Sequence, residues 1–131
     1  MKKLIIVSII ILSIVACKKT KYEPEGPTDV RVKNISNISF TEVKVNISDS
    51  IKLMGNINAG GYSEYVRFHK AFVVAEISAK ISGQLFSTGI VDYTGKTYLG
   101  QVKITYEVWI SDFTNKKLAM RVFYPIDGPL K

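Results

Sequence analysis

The chain has 131 residues, a formal net charge of +7, 47% hydrophobic and 22% charged residues, one cysteine and one histidine. That length corresponds to one domain of ordinary size, able to bury a core without disulfides or metal. A single cysteine excludes an internal disulfide framework, and a single histidine excludes a metal centre built from several histidines.

Lys2 and Lys3 precede an apolar run from Leu4 to Ala16, broken only by Ser8 and Ser13. A membrane-spanning helix needs roughly 20 apolar residues, and this run is shorter. A basic start, a short apolar middle and a small-residue end are the parts of a secretory signal. The run ends Ile14-Val15-Ala16-Cys17, which resembles the lipobox of bacterial lipoproteins. The chemistry implied is diacylglycerol on the Cys17 sulfur, cleavage after Ala16 and acylation of the new amino terminus. Cleavage without lipid would leave an unpaired thiol in an oxidising compartment. Residues 1–16 are therefore expected to be a lipoprotein signal peptide, and Cys17 the lipidation site. Acyl chains contribute about 0.8 kcal/mol per buried methylene, and two or more hold where one does not.

Residues 17–28 are expected to form a lipidated flexible tether. The stretch KKTKYEPEGPT from Lys18 has prolines, a glycine, mixed charge and only Tyr22 as a large apolar group. Such composition does not repay the entropy of ordering. Its reach is at most about 40 Å. Lys18, Lys19 and Lys21 would lie beside the bilayer, so the positive balance is read as attraction to anionic headgroups and not to nucleic acid. Lys18 stands where inner-membrane retention would place an aspartate, so the outer membrane is expected. Glu23 and Glu25 follow the lysines, which leaves the choice between periplasmic side and cell surface open.

Residues 29–131 read as a β-domain. Val30 and Val32 alternate with Arg31 and Lys33, and Val43, Val45 and Ile47 alternate with Glu42, Lys44 and Asn46. From Phe72 to Ile81 one face carries Val73, Ala75, Ile77, Ala79 and Ile81. Val102, Ile104, Tyr106, Val108 and Ile110 alternate with Lys103, Thr105, Glu107, Trp109 and Ser111. Leu118, Met120, Val122 and Tyr124 oppose Ala119, Arg121 and Phe123. Period-two alternation argues for antiparallel sheet with one buried and one wet face. Turn signals separate the runs at Asn34–Ser39, Ala59-Gly60-Gly61, Ser82-Gly83, Thr94-Gly95-Lys96 and Asp112–Lys117. No helical periodicity is evident. The expected fold is all-β, a single antiparallel β-sandwich of immunoglobulin-like type with 7–8 strands and little helix; a small barrel is the other closed solution.

Three stretches carry a resemblance: Val30-Arg31-Val32-Lys33-Asn34-Ile35-Ser36, Asn58-Ala59-Gly60-Gly61-Tyr62-Ser63-Glu64-Tyr65 and Val91-Asp92-Tyr93-Thr94-Gly95. They resemble small uncharacterised lipoproteins of Bacteroidota, in which an Asn-x-Ser strand end, a Gly-x-x-Ser-x-Tyr turn and an Asp-Tyr-x-Gly turn recur. The resemblance implies an immunoglobulin-like β-sandwich in the cell envelope and brings no activity.

Groups for catalysis are few. His69 lies between cations in Arg67-Phe68-His69-Lys70 and reads as a surface histidine at a strand entry. Asp92, Glu107 and Asp112 are scattered, so no catalytic carboxylate pair follows from spacing. No phosphate loop, calcium loop or cofactor motif is present. Gly60-Gly61 reads as hairpin geometry with positive φ. The expectation is a protein that is not an enzyme and needs no cofactor or metal. Its candidate ligand-binding residues are Trp109, on the polar side of its strand, with Tyr62 and Tyr65, because exposed aromatics stack on sugars or anchor partners. Phe68 and Phe72 are expected in the core. Asp49-Ser50-Ile51 matches a Bacteroidota O-glycosylation pattern, which makes Ser50 a candidate acceptor. The reading is thus a non-catalytic outer-membrane binding or accessory module for a glycan or an envelope protein. The alternative is a structural subunit of an envelope complex without a small-molecule ligand.

Overall fold

The computed structural model describes residues 24–130. Cys17, the signal peptide and most of the tether lie outside the described residues. The described chain is all-β, with no helix among its elements: β1 Thr28–Asn34, β2 Phe40–Ile47, β3 Ser50–Ile57, β4 Val66–Phe68, β5 Glu76–Ile81, β6 Gln84–Ser87, β7 Val102–Asp112, β8 Lys117–Val122 and β9 Gly128–Pro129.

The strands form one mixed sheet in the order β3-β2-β5-β6-β8-β7-β1-β4, and β9 pairs with the start of β7 beyond the reach of β8. Two pairings depart from the expected antiparallel pattern. β1 runs parallel to β7 from Asp29↔Lys103 to Asn34↔Val108, and β6 meets β8 in parallel at Ser87↔Lys117. Alternation could not foresee this, because parallel and antiparallel ladders both send successive side chains to opposite faces. Beyond the short β4, β1 approaches β3 at the other end of the path, where Asn34 Nδ2 donates to the Ile57 carbonyl (3.2 Å), so the sheet is nearly closed into a barrel.

The inward faces meet in one core. Val30 and Val32, Val43 and Val45, Ile77 and Ala79, and Ile104, Tyr106 and Val108 are each fully buried. Phe68 and Phe72 join them. Phe72 and Ala75 do so from irregular chain, since β5 starts only at Glu76 and Val73 points outward. Tyr124 also differs from expectation: β8 ends at Val122 and the Tyr124 ring is exposed. Thr28, assigned by composition to the tether, is the first residue of β1 and is buried, with its hydroxyl donating to the Gly100 carbonyl (2.6 Å).

The sequence reading did not foresee β3. Its apolar residues do not alternate: Ile51 and Leu53 point outward while Met54 and Ile57 are buried. A bulge in β2 between Phe40 and Lys44, with Glu42 at φ 48°, shifts the pairing and breaks the pattern. The Ser82-Gly83 turn is as expected. Both residues have positive φ, 51° and 77°, and the flanking pair is Ile81↔Gln84, the arrangement of a two-residue hairpin.

Candidate functional site

The outer face of β4, β1, β7 and β8 is built by register. In the β1–β7 pairing Arg31 stands opposite Thr105 and Lys33 opposite Glu107; in the β7–β8 pairing Glu107 faces Arg121 and Trp109 faces Ala119. Polar side chains from separate parts of the sequence are thereby set in adjacent rows.

Beside β1, at the edge of this face, runs the segment between β3 and β4, with Tyr62 bridged to Lys33. Asn34, a buried amide, fixes its start. Asn34 Oδ1 accepts from the Ser36 backbone N–H (2.9 Å) and hydroxyl (2.7 Å), while Nδ2 donates to the Ile38 carbonyl (2.7 Å). The Asn34 backbone is equally engaged, its N–H donating to Gly61 O (3.0 Å) and its carbonyl accepting from Gly60 N–H (2.8 Å). Gly60, at φ 75°, takes the left-handed turn that this docking requires. Gly60-Gly61 is therefore a turn returning the chain to β1, since β4 pairs with β1 and not with β3. The Ser63 N–H donates to the Val32 carbonyl (2.8 Å) and its hydroxyl accepts from the Val32 N–H (2.9 Å). The Asn-x-Ser and Gly-x-x-Ser-x-Tyr stretches are thus two halves of one joint, and the joint presents Tyr62 and Tyr65.

The Arg31 guanidinium lies between those rings, 4.1 Å from the Tyr62 centroid and 4.9 Å from that of Tyr65. Lys33 is 5.1 Å from the Tyr62 ring and Lys103 5.0 Å from that of Tyr65. Asp127 closes the cluster from the chain before β9. Its Oδ2 accepts from the Tyr65 hydroxyl (2.7 Å) and the Thr105 hydroxyl (2.6 Å), and Thr105 Oγ1 accepts from Arg31 Nε (2.9 Å). Burial, with the Asp127 carboxylate beside it, pushes the Tyr65 phenol above its ordinary pKa. Glu107, 5% exposed, accepts from Arg121 Nε at 2.7 Å. A notch of about 60 Å³ is lined by Arg31, Lys33, Tyr62, Thr105, Glu107, Phe123 and Asp127.

The structure thus brings Tyr62 and Tyr65 together and leaves Trp109 apart. Trp109 is on the same outer face but half-buried, with the Arg121 guanidinium 5.7 Å above its ring, and it does not line the notch. Sequence reasoning missed Arg31, Lys33, Thr105 and Asp127 as members of the site. The polar phase of β1 and β7 was visible, but the parallel pairing that joins the two rows was not. Ser50 lies elsewhere, with exposed His69, on a second cleft of about 350 Å³ that shares no residue with the notch. Among the described residues no cluster of acidic, histidine or cysteine side chains could hold a metal ion, and no helix is long and apolar enough to cross a membrane.

No family model matches the chain, and no curated protein matches it. Among solved structures, the chain is similar to a protein from Eubacterium rectale solved by NMR, with 13% identity and a TM-score of 0.49 over 82% of this chain and 95% of that one. At that level the likeness carries no argument about function.

Proposed function

We propose that this chain is a non-catalytic outer-membrane lipoprotein, anchored through lipid on Cys17, whose β-domain binds a glycan at the Tyr62 notch. The observation that carries the reading is Tyr62, 50% exposed, held over Arg31 beside a notch that presents carboxylates and cations together. A sugar ring has an apolar C–H face that an aromatic ring can cover. Its hydroxyls both donate and accept, so they suit Glu107 and Asp127 as acceptors alongside Arg31 and Lys33 as donors. An anion would meet two carboxylates in the same space. The polar groups of the notch are already cross-bonded, which holds their geometry before a ligand arrives. We further infer an immunoglobulin-like sandwich as the parent architecture, because β6 and β8 share a single residue pair, so the sheet is close to parting into two four-stranded leaves.

Calorimetric titration of glycans selected on an array is the test. Tyr62→Ala is expected to weaken binding by about tenfold or more with the fold unchanged by circular dichroism. Equal affinity in Tyr62→Ala would remove the notch from consideration. A second reading, an interaction subunit of an envelope complex, draws on Ile51, Leu53 and Leu85, which are 65%, 62% and 61% exposed on the other half of the sheet. An array with no glycan bound would favour it.

The anchor is tested separately. Metabolic labelling with an alkyne fatty acid is expected to tag the wild-type chain, and Cys17→Ala to lose the tag completely. An untagged wild-type protein in the soluble fraction would refute lipidation.

A further inference from the structure

The larger cleft lies between the β2–β3 turn, the residues that follow β4, and Tyr98. Its volume of about 350 Å³ reaches the range of small-molecule sites, which begins at about 300 Å³. One of its lining residues, Tyr98, belongs to a long irregular segment between β6 and β7, residues 88–101. Segments of more than about 12–15 residues without regular structure are uncommon in compact domains, and many of them shape binding sites. This one is held in place rather than loose. The Thr88 N–H donates to the Ile77 carbonyl (2.9 Å), the Leu99 N–H to the Ala71 carbonyl (2.9 Å), and the Tyr93 hydroxyl to the Asn46 carbonyl (2.9 Å). The Phe72 ring sits 4.8 Å from Tyr93 and 5.1 Å from Tyr98. The cleft is therefore formed in advance of any ligand.

Its chemistry is of both signs. Ile47, Phe72 and Tyr98 supply apolar and aromatic wall, Lys70 and His69 supply N–H donors, and Asp49 supplies a carboxylate. The Lys70 ammonium is fixed by Glu25 at 3.3 Å and by the Tyr98 ring at 4.6 Å. The bond to Glu25, then that to Tyr98, raises the Lys70 pKa further above its already basic ordinary value. An ammonium has three donors, so the bonds to Glu25 and Tyr98 leave one for a second anion.

The place of the cleft in the molecule says what it faces. The first described residues run along its wall: Glu25 pairs with Lys70, and Gly26 packs on the His69 carbonyl so closely that any Cβ there would clash with it. From Pro24 back to Cys17 the chain spans at most about 25 Å when fully extended. Anchoring at Cys17 would hold this end of the fold, not the opposite one, near the bilayer surface.

We propose that this cleft binds the phosphoethanolamine headgroup of a membrane phospholipid. The phosphate is taken by Lys70 and His69 with the Ser48 and Ser50 hydroxyls; the ammonium is taken by the Asp49 carboxylate. The opposite charges of the headgroup match the opposite charges of the walls, which a purely anionic headgroup would not do. Occupancy would seat the domain against the membrane and leave the Tyr62 notch free. The orientation toward the bilayer rests on lipidation of Cys17; recognition of the headgroup does not.

The test uses the chain from Cys17 onward carrying Cys17→Ser, which contains the whole described fold, in an amide NMR titration. Glycerophosphoethanolamine is expected to shift the amides of Ser48, Asp49, His69, Lys70 and Tyr98 with a midpoint at least about tenfold below those of glycerophosphoglycerol and inorganic phosphate. Asp49→Asn should abolish that preference, and Lys70→Met should weaken all three ligands. No saturable shift at these amides, or equal midpoints for the three ligands, would overturn the proposal, and the wild-type titration decides this even if a variant misfolds. Co-sedimentation with vesicles then separates the sources. Stronger binding to phosphatidylethanolamine–phosphatidylglycerol vesicles than to phosphatidylcholine–phosphatidylglycerol vesicles is expected. Binding of the soluble headgroup without that difference would refute the membrane lipid as the ligand.

Discussion

Ile104→Ala is expected to lower the stability of the domain by about 2–5 kcal/mol. Ile104 is fully buried in β7, opposite buried Val30 of β1, with Tyr106 and Val108 following on the same face. Close-packed surroundings cannot fill the space of the lost methyl groups, so the loss of transfer energy is compounded by a cavity. Against a typical total of about 5–15 kcal/mol, that is a large share. Trp109→Ala, five positions along the same strand, is expected to lose only about 1 kcal/mol, because its ring lies on the outer face under Arg121. Denaturant unfolding of the two variants makes the comparison. Equal losses would show that the tryptophan belongs to the core energetics.

Stability is also expected to fall steeply above about pH 10. Tyr106 is fully buried and its hydroxyl donates to the Phe72 carbonyl at 2.6 Å. Burial pushes its phenol far above the ordinary value of 10.0. Burial also raises Tyr93 and Tyr65, the latter with help from Asp127. The sign follows from proton counting. An unfolded tyrosine releases its proton near pH 10, whereas folded Tyr106 keeps it, so the folded state binds more protons there. The contribution is full below that pH and is lost as pH rises toward the folded value, by up to about 1.4 kcal/mol per pH unit for one proton. Tyr106→Phe is expected to lose about 1–3 kcal/mol at neutral pH, since the Phe72 carbonyl is left buried without its donor. The same variant should have a shallower alkaline slope. Unfolding curves between about pH 8 and pH 11 measure both effects, and an unchanged slope in Tyr106→Phe would refute the assignment.

Legibility of the fold in the sequence varied from strand to strand. The phase of β1, β2 and β8 was plain, because each buries one face and wets the other; that of β7 was plain from residue type, although Thr105 and Glu107 on its polar side are buried too. β3 was hidden by the β2 bulge, which lets Ile51 and Leu53 point outward while Met54 and Ile57 point in. β4 and β9 span only Val66–Phe68 and Gly128–Pro129, too short to show a period. For the site, Tyr62 and Tyr65 stood out as aromatics after a glycine turn. Arg31, Lys33, Thr105 and Asp127 looked like ordinary wet-face residues, since nothing local marks a polar side chain as part of a cluster.

What the sequence by itself determined is the strand class of the chain and which side chains turn inward along β1, the end of β2, β5 and the apolar phase of β7. Both depend on the alternation of neighbouring residues, and solvent enforces that alternation locally. Turn positions such as Gly83 and Gly60 belong to the same level, because glycine takes positive φ without the cost that a Cβ imposes. The tertiary structure alone decided which strands are neighbours: β1 beside β7 in parallel, β6 beside β8 through one pair, and Asn34 bonded to the far end of β3. Those choices depend on how all the inward faces close around one core, and side-chain alternation is identical for every strand order that buries the same faces. The Tyr62 notch and the Lys70 cleft exist only after that closure, since each is assembled from segments that the chain keeps far apart.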